Sequence, residues 1–201
     1  MEKFTVLKAK AVSIPVRDID TDMIIPAQFL TSTSREGYGQ NLFRRLREQD
    51  PNFPTNRPES KGAQILVAGA NFGCGSSREH AVWALLGSGF RAVISSSFAD
   101  IFTSNSGKNG LLLVTLPEPV TQNLCAQASS GELHLEVDLS SQTVTHPDGT
   151  KWPFPYDPFR KHCLLTGQDD LDYLLAEKEE IAAYRAQRDG YRFYKTTEAN
   201  R

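Results

Sequence analysis

Ile65-Leu66-Val67-Ala68-Gly69-Ala70-Asn71-Phe72-Gly73-Cys74-Gly75-Ser76-Ser77-Arg78-Glu79-His80-Ala81 joins an apolar run to a helix-like run that continues to Leu86. The first four residues, apolar and bounded by turn formers, read as a buried strand. Strand, glycine-rich loop and helix in that order form the unit of a parallel α/β sheet. The first N–H groups of a helix lack intrahelical partners and carry partial positive charge, so a loop feeding such an end suits an anion. Ser76, Ser77 and Arg78 stand at that point. The pattern predicts a site for a carboxylate or phosphate with a serine oxygen beside it.

Ser76 and Glu79 also fit the capping box S-x-x-E, which predicts a helix from Ser77 with Ser76 as its cap, worth about 1 kcal/mol. Arg78 in the first turn would oppose the helix dipole, and so reads as a cation awaiting an anion. Donors around the Ser76 hydroxyl would stabilise an alkoxide, as in an oxyanion hole. The residues alone leave both roles open, base and plain cap.

Working outward, Phe90–Ile94 and Leu111–Leu116 read as further strands, with a helix over Phe98–Ser106 between them. Ala63–Ala70 and Thr5–Val16 complete the strands of the first half. Alternation of strands and helices predicts parallel pairing. After Pro117 the next recognisable element is Glu132–Leu139, whose strict alternation predicts a half-exposed antiparallel strand, followed by a hairpin through Pro147-Asp148-Gly149. Helices are predicted over Pro158–Leu165 and Leu171–Arg188. Residues 189–201 read as a frayed tail on a single domain spanning 1–201. Thr31–Gly39 reads as a polar loop, and Asp50–Lys61, with three prolines, as an irregular excursion.

Composition narrows the function. The 201 residues are 39% hydrophobic with net charge −2, so no basic patch favours nucleic acid and no apolar run approaches a membrane span. Nor does the start of the chain carry an apolar signal core, making the cytoplasm the expected compartment. Cys74, Cys125 and Cys163 are far apart and form no C-x-x-C, so no metal or iron–sulfur ligand set is expected here. Gly73-Cys74-Gly75 begins a dinucleotide fingerprint, but Arg78 occupies the third glycine position. No hydrolase elbow G-x-S-x-G is present. Cys74 beside a helix start fits a low-pKa nucleophile less well than a packed thiol. Asp18, Asp20 and Asp22 alternate without the rest of a calcium loop.

Three segments carry a resemblance. Asp20-Thr21-Asp22-Met23-Ile24-Ile25-Pro26, Asn71 through Ala81, and Ser97-Phe98-Ala99-Asp100-Ile101-Phe102 together resemble the small subunits of 3-isopropylmalate dehydratase, the detached swivelling domain of the aconitase superfamily. The similarity runs nearly end to end, through Phe159-Arg160-Lys161-His162-Cys163. It implies a three-layer β/β/α fold whose mixed sheet has a parallel βαβ core. It implies a large-subunit partner holding a [4Fe–4S] cluster, and a hydro-lyase reaction on a small dicarboxylate in leucine biosynthesis. By motif, Ser76 resembles the base that removes the substrate C–H proton. Ser77 and Arg78 resemble carboxylate ligands, with Gly75 in the same binding loop. Asp22 resembles an aspartate that supports the acid–base machinery. Arg35, after Phe29-Leu30, matches an arginine of the segment facing the substrate's variable side chain. Val82, Trp83, Thr103 and Leu113 depart from the usual pattern, which bears on the substrate. A sister hydro-lyase acting on another 2-hydroxydiacid and a non-catalytic anion-binding module remain alternatives.

Overall fold

The structure, a computed structural model, describes residues 1–30 and 36–187. Arg35 and the expected tail at 189–201 lie outside the described residues.

Seven strands form one mixed sheet in the order β4-β3-β2-β1-β5-β6-β7. β1 (Val6–Ile14), β2 (Ile65–Ala68), β3 (Ala92–Ser95) and β4 (Leu112–Thr115) pair in parallel, with Ile14 opposite Ala68 and Val67 opposite Ile94. β5 (His134–Asp138), β6 (Thr143–Thr145) and β7 (Lys151–Pro153) extend the sheet antiparallel from the far edge of β1. The expected strands and hairpin are all present, with ends shifted by no more than two residues.

Successive strand side chains point to opposite faces, and β2 shows how this builds two cores. Leu66 and Ala68 join Val12 and Ile14 of β1 in a core that includes Ala81, Val82 and Leu85 of α3 (His80–Gly87) and Phe102 of α4 (Asp100–Asn109). Ile65 and Val67 point the other way, toward Leu124 of a helix over Glu118–Ala128, Leu135 and Val137 of β5, and Leu164 of a helix over Pro158–Thr166. Helices thus cover one face of the parallel core. The other face meets the inner side of the antiparallel strands together with the helices over Glu118–Ala128 and Pro158–Thr166, the layering that the resemblance implied.

In chain order the helices are α1 (Thr21–Ile24), α2 (Arg44–Gln49), α3, α4, α5 (Glu118–Ala128), α6 (Pro158–Thr166), α7 (Asp170–Ala176) and α8 (Lys178–Gln187). Three differ from expectation. Pro117 reads as closing the preceding strand, and α5 is not among the expected elements. Proline is tolerated in a helix's first turn, and Thr121, Leu124, Cys125 and Ala128 make a buried stripe at i, i+3, i+4 and i+7. The single helix expected over Leu171–Arg188 is two, because α7 ends at Glu177 before α8 begins. The helix expected from Ser77 starts at His80, with consequences for the site.

Candidate active site

β1, β2 and β3 run parallel, so the chain leaves all three at the same carboxyl edge of the sheet, where open α/β sheets bind ligands. The segments that follow stay paired. Asp18 N–H donates to Ala70 O (2.9 Å), Gly73 N–H to Ile19 O (2.8 Å) and Thr21 N–H to Cys74 O (2.8 Å). On the other side Phe72 N–H donates to Ser97 O and Ala99 N–H to Phe72 O, both at 3.2 Å. The three motifs that were separate in the sequence therefore lie side by side. Gly73 makes this approach possible. Its φ is +79°, and a Cβ there would lie 2.2 Å from the Phe102 ring.

Gly75, Ser76 and Ser77 are exposed at the rim of this edge, and Arg78 is half-buried. Ser76 N–H donates to Thr21 Oγ1 at 3.1 Å, and the Ser76 and Thr21 hydroxyl oxygens are 3.1 Å apart. Asn105 of α4 donates to Ser77 O at 3.2 Å. Arg78 Nη1 donates to Asp22 Oδ1 at 2.9 Å, and Arg45 Nη1 of α2 lies 3.0 Å from Asp22 Oδ2. Ala27 N–H also donates to Asp22 Oδ1 (3.1 Å). The Arg78 hydrogen bond is the largest influence holding the Asp22 carboxyl below the usual carboxylate range. Burial opposes it, and the Ala27 N–H and Arg45 reinforce it. Asp22 thus stands between two guanidiniums, Arg78 and Arg45, with Asp18 and Asp20 as further acids of the same turn.

Two expectations are corrected. Ser76 does not cap α3, which begins four residues later with Glu79 at its cap position and no side-chain cap bond. Glu79 Oε1 instead accepts from Asn109 Nδ2 at 2.6 Å. A capping box needs only local geometry, but a partner on α4 claims Glu79, and Thr21 claims Ser76. Arg78 is not an uncompensated cation, because Asp22 already faces it. Arg45 adds a second guanidinium at Asp22, and α3 begins beyond Ser76.

The other acids of the turn are structural. Asp20 caps α1 by accepting from Met23 N–H (2.7 Å), and Asp18 accepts from Asn71 Nδ2 (2.7 Å). The Cys74 thiol is pushed up by burial and by the charges of Asp20 and Asp18, the reverse of an activated nucleophile. His80 packs edge-on against Tyr38 and Trp83, with ring centroids 5.2 and 4.7 Å away. Among the described residues no group of three or more His, Cys, Asp or Glu is placed to hold a metal ion. A cleft of about 420 Å³, lined by Arg17, Gly69, Ser96, Glu118 and Cys125 among others, opens away from Ser76, Ser77 and Arg78.

The Aconitase C-terminal domain family matches residues 1–119. A 3-isopropylmalate dehydratase small subunit of Chloroflexus aurantiacus is 53% identical over 192 residues, covering 92% of this chain and 96% of its own.

The chain belongs to the 3-isopropylmalate dehydratase small-subunit family.

A small subunit of that family from Francisella tularensis subsp. novicida is 47% identical, covering 94% of this chain and all of its own. The crystal structure of 3-isopropylmalate dehydratase from Methanocaldococcus jannaschii superposes with a TM-score of 0.63 at 28% identity, over 90% of this chain and 99% of that one. Membership of a small-subunit family implies a large-subunit partner. Of the four positions expected to depart from the usual pattern, three pack in the first core and Thr103 is exposed. Val82 and Leu113 are buried in the first core, and Trp83 Nε1 donates to Asn109 Oδ1 at 2.9 Å. Thr103 Oγ1 donates to Ala99 O within α4 at 3.0 Å. Thr21, Arg45 and Asn105 escaped the sequence reading. Thr21 alone carried a local signal, its place between the capping Asp20 and Asp22. Arg45 and Asn105 reach the site only through the fold.

Proposed function

We propose that this chain is the small subunit of a 3-isopropylmalate dehydratase. With its large subunit it interconverts 2-isopropylmalate and 3-isopropylmalate through 2-isopropylmaleate, in leucine biosynthesis. The observation that carries this reading is the 47–53% identity to small subunits of that name over more than nine-tenths of the chain. An exposed rim with serine hydroxyls beside the Arg78 guanidinium supports it, since a dicarboxylate substrate needs such donors. That the rim lies open in this chain suits a centre completed by another subunit.

In this reading Ser76 Oγ removes the proton from the substrate carbon. Ser77, the Gly75 segment and Arg78 hold a substrate carboxylate beside it. Guanidinium and hydroxyl donors suit a carboxylate because charge-assisted hydrogen bonds are the strong ones. Asp22 orients Arg78 from behind, and Arg35 faces the substrate's variable side chain. The [4Fe–4S] cluster belongs to the large subunit and, when bound there, supplies a Lewis acid for the leaving hydroxyl. Residues 1–201 act as one swivelling domain. Three free cysteines fit the reducing cytoplasm as the place of action.

The test is anaerobic co-expression with an iron–sulfur large subunit, followed by kcat/KM for isopropylmalate, dimethylmalate and citramalate. Highest kcat/KM for isopropylmalate is expected. Preference for another diacid moves the protein to a sister hydro-lyase, and no turnover of any diacid overturns the enzymatic reading.

A further inference from the structure

Thr21 is only 2% exposed, yet its side-chain oxygen is engaged with one residue of the rim. Ser76 N–H donates to Thr21 Oγ1, and the Ser76 hydroxyl oxygen lies at the same 3.1 Å from it. Thr21 is itself fixed by backbone bonds on both sides, donating to Cys74 O at 2.8 Å and accepting from Ile25 N–H at 3.0 Å. A β-branched side chain on a backbone so held has a stiff χ1, so its hydroxyl stays beside Ser76.

A threonine hydroxyl has one hydrogen to give and two lone pairs. The Ser76 N–H occupies one lone pair and polarises the hydroxyl toward donation. While Ser76 is neutral, either hydroxyl can donate to the other. Once Ser76 Oγ has lost its proton to solvent, only Thr21 can donate.

We propose that Thr21 is a positioning residue that donates a hydrogen bond to the Ser76 alkoxide, holding its oxygen at the rim and favouring the deprotonated form. The inference rests on Ser76 being the base. A serine hydroxyl ordinarily deprotonates far above neutral pH, so the alkoxide is the scarce species. The gain in its population then outweighs the partial loss of basicity that a hydrogen bond brings. In the proton-transfer step the Oγ–H bond forms as the substrate C–H bond breaks. The C–H electron pair becomes the new double bond as the hydroxyl on the neighbouring carbon departs. Thr21 touches neither substrate carbon and acts only through Ser76.

The experiment uses the complex reconstituted with its large subunit, comparing variants that assemble and melt like the parent. Thr21→Val keeps the shape and removes the hydroxyl. Its kcat is expected to fall about 10- to 100-fold, the worth of one hydrogen bond to a charged group, with KM within about threefold. While the alkoxide stays scarce, the kcat deficit is the same factor across the working pH range. Thr21→Ser is expected to restore kcat to within about threefold of the parent, for the same hydrogen bond is restored. If the valine variant does not assemble, Thr21→Cys, a weak donor, is expected to fall well below the serine variant. A Thr21→Val kcat near the parent's, a serine variant as poor as valine, or a cysteine variant equal to the parent each overturns the proposal. Ser76→Ala separates the two readings. Retained turnover sinks the base assignment itself, whereas abolished turnover with a silent Thr21→Val sinks only the role of Thr21.

Discussion

Asp22 and Arg78, 56 residues apart in sequence, meet through a 2.9 Å hydrogen bond at the carboxyl edge of the sheet. Arg45 approaches the other oxygen of the same carboxylate at 3.0 Å. Asp22 therefore decides where the Arg78 guanidinium points without occupying the exposed rim itself.

Asp22→Asn keeps the shape and removes the charge that orients Arg78. In the assembled enzyme kcat/KM is expected to drop by about 10- to 100-fold, the range for losing one charge-assisted hydrogen bond. The fall should appear largely in KM if Arg78 holds substrate equally in ground and transition states. Steady-state kinetics on the parent and variant complexes decide it. An unchanged kcat/KM would remove Asp22 from the site.

The depressed pKa of Asp22 has a definite sign in stability. Its folded value lies below its unfolded one, so its contribution is complete above the ordinary carboxylate range. That contribution fades as pH falls through the lower, folded value. A carboxyl-carbon NMR titration of the chain should place the Asp22 midpoint below that of a free aspartate. Arg78→Ala should raise the midpoint more than Arg45→Ala does, because the Arg78 hydrogen bond is the larger cause. The reverse order would contradict the assignment.

Gly73 and Gly149 both have positive φ, +79° and +91°, but only Gly73 faces an obstacle. Gly149→Ala meets only the backbone penalty, about 1–2 kcal/mol. Gly73→Ala adds the collision with the Phe102 ring and is expected to cost about 2–5 kcal/mol. Denaturant unfolding of the two variants side by side measures the difference. Equal losses would mean that the ring moves aside freely.

The thiols should differ in reactivity in the folded chain. Burial pushes Cys125 up to about 11, and its Sγ lies 3.7 Å from Val67 O in the second core. Alkylation at pH 8 should label Cys74 first and slowly, and Cys125 and Cys163 only as the protein unfolds. Mass spectrometry of a timed iodoacetamide reaction reads this directly. Prompt labelling of Cys125 would place α5 elsewhere than against β2.

The parallel core was legible because Ile65–Ala68, Ala92–Ser95 and Leu112–Thr115 are short apolar runs punctuated by glycine or proline. Tertiary partners hid the rest. The Ser76–Glu79 pattern is locally a good cap, yet Thr21 and Asn109 offered each residue a better bond, and α3 starts at His80. Two prolines at its entrance masked α5 until its buried stripe is read at helical spacing. Of the site, Ser76, Ser77, Arg78 and Asp22 stood in motifs that the resemblance picked out. Arg45 sits on a short charged helix whose sequence has no distinguishing mark, and only its contact with Asp22 reveals it.

Gly39 and Gly87 pass backbone against backbone, so tightly that a Cβ on Gly39 would lie 2.3 Å from the Gly87 carbonyl carbon. Ser88 Oγ fastens the contact by donating to Gly39 O at 2.7 Å, and Tyr38 is buried next to it. On the other side Phe29 and Leu30 pack on the first core. The chain is thus moored before and after residues 31–35, on supports that do not include Ser76. Those two anchorages stand apart from Ser76, so substitutions within residues 31–35 should leave the serine rim standing.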